Sequence, residues 1–336
     1  MNTRAFQWIG LTSCCALACS AALAQDKPSP PSPSATSQLP FTSQAKKVVV
    51  FIQTDCRVKK DPLTTSGPNA TETQSWLGTG FLVFVPEPRI APDRGFQYLV
   101  TNRHVVQPGI EDSKPCDVSG YSVRVTLKAP GNGQDPSPLQ RLVDAPWVFP
   151  SDDSVDLAAM PLPLDENVYD FENISLNIVA DPKADALSEG DPVLFTGLFV
   201  QYMGKTKMQP IVRSGSIAML PDETIETTLK KPGHVYLAEV HSFGGNSGSP
   251  VFVDTGGLRK SQLGFSFKLL GVVAGEVFEA ADFHLQVSTT YDGKVQANSG
   301  ISMLVPGSEV KALLESPQLQ KQRDDAVALA KKTLKK

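Results

Sequence analysis

Short apolar-rich segments recur along the chain, each cut off by clusters of Pro, Gly, Asp or Asn. GTGFLVFV (78–85), FQYLVTN (96–102), YSVRVTL (121–127), DPVLFTGLFV (191–200), PIVRSGSIAML (210–220), HVYLAEV (234–240), KLLGVVAGEV (268–277) and HLQVSTT (284–290) are rich in Val, Leu, Phe, Tyr and Thr. β-branched and aromatic side chains suit a pleated, half-buried surface, and regular short runs of them predict an all-β sandwich or barrel. The folded part opens near Lys46, at KKVVVFI. Helical spacing is confined to the end. Val310, Leu313 and Leu314 stand at i, i+3, i+4 after Pro306-Gly307-Ser308, with Ser308 as N-cap, and a second run covers about 319–335 after Pro317. The polar, mixed stretch 161–190 bridges two strand-rich halves, about 45–165 and 185–305. Clefts between two such halves are common places for chemistry.

The N-terminus has a different pattern. Arg4 is the only charge before Gln25, and an apolar stretch from Trp8 closes on Ala22-Leu23-Ala24. That layout predicts a secretory signal over 1–24, cleaved before Gln25, and a periplasmic or secreted mature chain. A membrane anchor is the competing reading, although the stretch is short and rich in Cys, Ser and Thr. A lipid-anchored variant is the minor alternative, with Leu11-Thr12-Ser13 preceding Cys14. KPSPPSPSATSQLP follows, so 25–44 reads as a Pro/Ser-rich extended tether.

Composition narrows the function classes. The 336 residues are 41% hydrophobic and 20% charged, with net charge −4. This is globular composition, and no basic run argues for nucleic acid. Cys14, Cys15 and Cys19 fall in the signal, leaving Cys56 and Cys116. In an oxidising compartment two cysteines predict one disulfide, with two unpaired buried thiols as the alternative. His104, His234, His241 and His284 show no metal-ligand spacing, so neither metal nor cofactor is expected. Nothing in the sequence sets the oligomeric state.

Three local patterns carry chemistry. HSFGGNSGSP (241–250) places Ser247 in a glycine-rich turn. A serine hydroxyl needs a base to become a nucleophile, and donors aimed at the oxyanion it creates. Gly245 can adopt backbone angles closed to other residues, so its N–H and that of Ser247 can point into one concavity. A plain Gly-Ser hairpin loop fits the same letters. In YLVTNRHVV (98–106) a strand ends and His104 follows in a polar turn, a rigid seat for a base, though an isolated histidine is more often structural. In SVDLAAMPL (154–162) Asp156 sits in an apolar run, where an acid is costly unless paired; an imidazole N–H is one partner and capping a turn is another role. His, Asp and Ser follow in that order, about 50 and about 90 residues apart, the chain order of the chymotrypsin arrangement.

Taken with TGFLV, SEGDPVLFTGL, VRSGSIAML, LLGVVAG and SGISMLVP, these blocks make the chain resemble a trypsin-fold (chymotrypsin-like) serine protease of the bacterial high-temperature-requirement branch, over roughly 47–316. The resemblance implies two six-stranded Greek-key barrels with a C-terminal helix, in a protease domain over 45–316 followed by a helical tail, 317–336. It implies His104 as general base, Asp156 as its orienting partner, Ser247 as nucleophile and the Gly245 and Ser247 N–H groups as oxyanion hole. It places His241 and Ser242 at the specificity pocket and the strand around Val273 and Gly275 as the edge that pairs with substrate backbone.

There are departures. Only 30 residues follow Pro306, too few for the peptide-binding PDZ module that the family usually carries. Asn246 stands where digestive trypsins have Asp, so activation by a new N-terminus pairing with that acid is not expected. His241 reads either as a recogniser of acidic side chains or as a structural histidine. No carboxylate is placed in that pocket region, which argues against a basic substrate residue. The expected function is an exported serine endopeptidase acting on proteins or peptides, with no membrane partner once the signal is gone; the alternative is a non-catalytic binding protein on the same fold.

Overall fold

The computed structural model describes residues 40–59, 71–91, 94–142, 145–204, 207–256, 267–286 and 290–333, with backbone only over 280–286 and 290–296. The stretch read as a signal and most of the one read as a tether lie outside these residues, as does part of the HLQVSTT segment. Among the described residues no helix is long and apolar enough to cross a membrane.

The fold is all-β. The N-terminal half holds β1 (Val49–Lys59), β2 (Thr71–Pro86), β3 (Gly95–Thr101), β4 (Asp117–Arg124), β5 (Leu139–Leu142), β6 (Ala158–Pro161) and the short β7 (Ile174–Ser175). Their order is β5-β4-β1-β2-β3-β6, with β7 parallel to β2. The C-terminal half holds β8 (Pro192–Gly197), β9 (Ile211–Met219), the small pair β10 (Ile225–Glu226) and β11 (Pro232–Gly233), then β12 (Tyr236–Glu239), β13 (Pro250–Asp254), β14 (Phe267–Gln286) and β15 (Thr290–Pro306). Six of these close into a barrel in the order β12-β15-β14-β13-β8-β9. The first half is an open path of six strands by hydrogen bonding, where a barrel was expected; a lone bridge between Val148 and Ala159 extends its β6 edge.

The continuous apolar run at the start of β1 has a physical reason. Alternate residues of a strand face opposite sides. Val50 and Ile52 enter the core of the first half, beside Leu82 and Leu99. Val49 and Phe51 face the other way, into a seam shared with Phe81, Val83, Phe252 and Leu269 from both halves. Val251 and Val253 of β13 fill the barrel with Phe195 and Ile217. Each such fully buried side chain stabilises by roughly 1.5–3 kcal/mol, so the seam holds the two halves in fixed register.

Helix α1 (Phe41–Lys47) overlaps the last residues of the stretch read as a tether. Phe41 explains it: its ring stacks on Phe267 and meets Phe252 edge-on, tertiary contacts with no local sequence mark. At the other end α3 (Gly307–Leu314) buries Val310, Leu313 and Leu314, but it starts after Pro306 and has no side-chain cap, so Ser308 is not its N-cap. After α4 (Pro317–Thr333) begins, the buried Arg323 donates to the Leu314 carbonyl at 2.7 Å and to Tyr98 Oη at 3.1 Å, tying the tail to β3.

Cys56 of β1 is bonded to Cys116, whose Cα lies 5.8 Å away. The bridge closes a separation of 60 residues and anchors the loop that follows the His104 turn. Cross-links over loops of this size stabilise by about 2–4 kcal/mol. Replacing both cysteines by serine is expected to lower the melting temperature by roughly 5–15 °C. Equal melting curves for the two proteins would contradict that role.

Candidate active site

His104 lies in the four-residue helix α2 (Arg103–Val106), just after β3. Asp156 lies in the turn before β6 and is 1% exposed. Its carboxylate is fully engaged. Oδ2 accepts from His104 Nδ1 at 2.6 Å and from the Thr228 hydroxyl at 2.9 Å, and Oδ1 accepts the His104 backbone N–H at 3.1 Å. The Asn102 side-chain amide donates to the Asp156 carbonyl at 2.7 Å and fixes the turn. With Nδ1–H given to a carboxylate, the neutral ring presents Nε2 as an acceptor. Nε2 has no protein partner among the described residues.

The electrostatics follow from this geometry. Burial raises Asp156, but the charge and hydrogen bonds of His104, with the Thr228 hydroxyl, outweigh it and hold the carboxyl below its usual range. Burial lowers His104, but the Asp156 charge and hydrogen bond, with the nearby Glu111 carboxylate, outweigh that and raise the imidazole above its ordinary value. Both shifts favour the ion pair.

Ser247 sits between two tight turns. The Asn246 N–H bonds the Phe243 carbonyl at 2.9 Å, and the Ser249 N–H bonds the Asn246 carbonyl at 3.0 Å. Gly245 (φ 95°) and Gly248 (φ 88°) hold left-handed conformations. At Gly248 a Cβ would lie 1.8 Å from the Thr79 carbonyl, so strain and space both demand glycine. The buried Thr79 of β2 clamps this loop across the seam: its N–H donates to the Ser247 carbonyl at 2.9 Å and its hydroxyl to the Gly245 carbonyl at 2.7 Å. Asn246, fully buried, donates to the Leu198 carbonyl at 2.5 Å and accepts the Phe243 N–H at 2.8 Å. Neutral bonds therefore hold the loop, and among the described residues no charged partner touches Asn246. Among the described residues no protein acceptor takes the N–H of Gly245 or of Ser247.

His104 and Ser247 line one cleft of about 370 Å³, together with Ser242, Val273 and Gly275. Asp156 stands behind His104. The Ser247 hydroxyl makes one long contact, 3.4 Å, to the Ala274 carbonyl, and no hydrogen bond joins it to His104. His241 is exposed, beside Gly300 and outside the cleft lining. Val273 has both backbone groups engaged, by Gly248 N–H at 2.8 Å and the Ser249 carbonyl at 2.9 Å, so the free edge of β14 starts after it. β14 pairs with β13 only up to Val272, which leaves Gly275 on an edge open to one side.

Three contributors had no local mark in the sequence. Thr228 and Thr79 are single threonines in ordinary runs. Glu276 brings a carboxylate to the cleft wall, where none was expected. Among the described residues no group of His, Cys, Asp and Glu side chains could hold a metal ion.

No curated protein matches the chain. Solved structures similar to it include the Rv3671c protease of M. tuberculosis in an inactive form, 18% identical over 82% of this chain and 91% of that one, with a TM-score of 0.42. Deg5 is 16% identical over 70% of this chain and 82% of that one, with a TM-score of 0.41. Likenesses this loose carry nothing about the chemistry. The model of the trypsin-like peptidase domain matches residues 78–258, more than half of the sequence, and the chain belongs to that family.

Proposed function

We propose that the chain is an exported serine endopeptidase that hydrolyses peptide bonds through an acyl-enzyme. The observation that carries this reading is the carboxylate–imidazole pair facing the cleft that also holds Ser247. In the reaction the Ser247 hydroxyl leaves its weak contact with Ala274 and turns to His104 Nε2, which takes its proton as Oγ attacks the scissile carbonyl. Catalytic hydrogen bonds often tighten only once substrate is bound. Asp156 holds the imidazole in the tautomer that accepts, then stabilises the imidazolium. The Gly245 and Ser247 N–H groups, lacking internal acceptors, receive the oxyanion. His104 returns the proton to the leaving amine, and water repeats the sequence to release the acid. The edge beyond Val273 aligns the substrate backbone as an added strand.

Export rests on the sequence of residues 1–24 and is tested by secretion of the cleaved chain. The chemistry is tested with an unfolded substrate such as casein. Wild type is expected to cut it, and Ser247→Ala to lose about 10⁴-fold or more of kcat. Equal cleavage by the two proteins overturns the assignment.

A further inference from the structure

The cleft wall carries a carboxylate whose place the proteolytic mechanism leaves unexplained. Glu276 lies two residues beyond Ala274, the residue whose carbonyl touches Ser247. Register shifts interrupt the β14–β15 ladder between Val273 and Gly275 and again between Glu276 and Phe278. Bulges are common next to active sites, and Glu276 lies between these two, lining the cleft with Ala274 and Phe278.

Its surroundings are neutral. Glu276 Oε2 accepts from Asn298 Nδ2 at 2.6 Å, and the same nitrogen donates to the Ser242 carbonyl at 2.9 Å. Asn298 Oδ1 in turn accepts the Gly300 N–H at 2.8 Å. Asn298 thus fixes the carboxylate beside Ser242 without supplying charge. Glu276 forms no ion pair among the described residues, and Oε1 has no protein donor. Burial holds its carboxyl above the usual range, as expected of an acid with no cation beside it. Glu111 lines the same cleft, and its Oε2 is a buried atom with no hydrogen-bond partner. Among the described residues the cleft beside Ser247 therefore holds two acids and, besides the His104 imidazole, no basic side chain.

We propose that Glu276 determines specificity, binding the positively charged side chain of a lysine or arginine on the acyl side of the scissile bond. This deepens the proteolytic reading and rests on it. A cation entering beside Ser242 meets Oε1 directly, replaces water on a partly buried carboxylate and removes an uncompensated charge. The Ser242 hydroxyl, 2.8 Å from that of the buried Ser302, lies on the same wall as a further polar contact. An acidic side chain there would face the Glu276 carboxylate, so this wall favours a cation over an anion.

The test is a matched peptide series on the full mature chain, varying only the residue before the cut: Lys, Arg, Gln, Leu and Glu. Wild type is expected to cut the Lys and Arg peptides with kcat/KM at least 10-fold above the Leu and Gln peptides. Glu276→Gln is expected to lower the Lys-to-Leu ratio by about 30-fold or more, the usual scale for losing one partner of a buried charge pair. Glu276→Lys is expected to turn the preference to the Glu peptide, a gain that misfolding does not produce. Wild type cutting Leu or Gln peptides as well as Lys or Arg overturns the inference, as does an unchanged ratio in Glu276→Gln. If wild type cuts no peptide and a fluorophosphonate leaves Ser247 unmodified, the proteolytic reading fails and the specificity assignment with it.

Discussion

Asp156→Asn is expected to lower kcat by about 10⁴-fold while keeping the side-chain volume of the site. Asp156 accepts three hydrogen bonds, two of them from His104. An asparagine there turns an NH2 toward Nδ1 and forces the proton onto Nε2, the nitrogen that accepts from Ser247 in the proposed mechanism. The substitution also moves the pH profile. His104 is raised above its ordinary value chiefly by the Asp156 charge and hydrogen bond acting against burial. The base must be neutral, so wild-type kcat/KM is expected to rise with pH through a midpoint above about 6.5. In Asp156→Asn the residual activity is expected to rise at lower pH, because burial then acts without its counterweight. Stability obeys the same linkage. The lowered Asp156 contributes above about pH 4 and loses its contribution as pH falls through the depressed value. The raised His104 contributes below about pH 6.5 and loses its contribution as pH rises through the elevated value. The pair therefore stabilises most between those limits. A profile unchanged by the substitution contradicts the coupling.

Asn246→Asp is expected to destabilise the protein by about 3–5 kcal/mol at neutral pH, the cost of a buried charge without a partner. The side chain is fully buried, and its NH2 donates to the Leu198 carbonyl. A carboxylate oxygen in that place faces a carbonyl oxygen, and among the described residues no cation touches the site. The acid avoids this by keeping a proton, so its folded value rises above the unfolded value near 3.9. The deficit then grows as pH rises from about 4 and vanishes below it. Urea unfolding at pH 4 and pH 7.5 measures it: the gap between variant and wild type is expected to widen at the higher pH. A constant gap contradicts the account. The same geometry explains why this loop needs no charged N-terminus to hold its shape.

What the sequence disclosed has a pattern. The strands around Val50, Leu82, Leu99, Phe195 and Val251 were legible because both faces of those segments are buried, which concentrates apolar residues locally. The Ser247 loop was legible because Gly245 and Gly248 need positive φ, a constraint written in adjacent letters. Asp156 stood out as an acid in an apolar run. What stayed hidden depends on partners far along the chain. Thr79 meets Gly245 across 166 positions and Thr228 meets Asp156 across 72, and a threonine in either place has no local reason to differ from its neighbours. Helix α1 exists because Phe41 finds Phe252 and Phe267. Glu276 was missed because its place beside Ser242 depends on Asn298, 22 positions further along the chain, and no local pattern marks that partner.

The central claim is that one hydroxyl in this chain becomes covalently reactive through His104. It is tested most directly by treating the protein with a fluorophosphonate, mapping the adduct by peptide mass spectrometry and following its rate against pH. A single adduct on Ser247, formed faster as pH rises past the His104 midpoint and suppressed in His104→Ala, is the predicted result. An unmodified Ser247, or labelling there at a rate indifferent to His104, contradicts it.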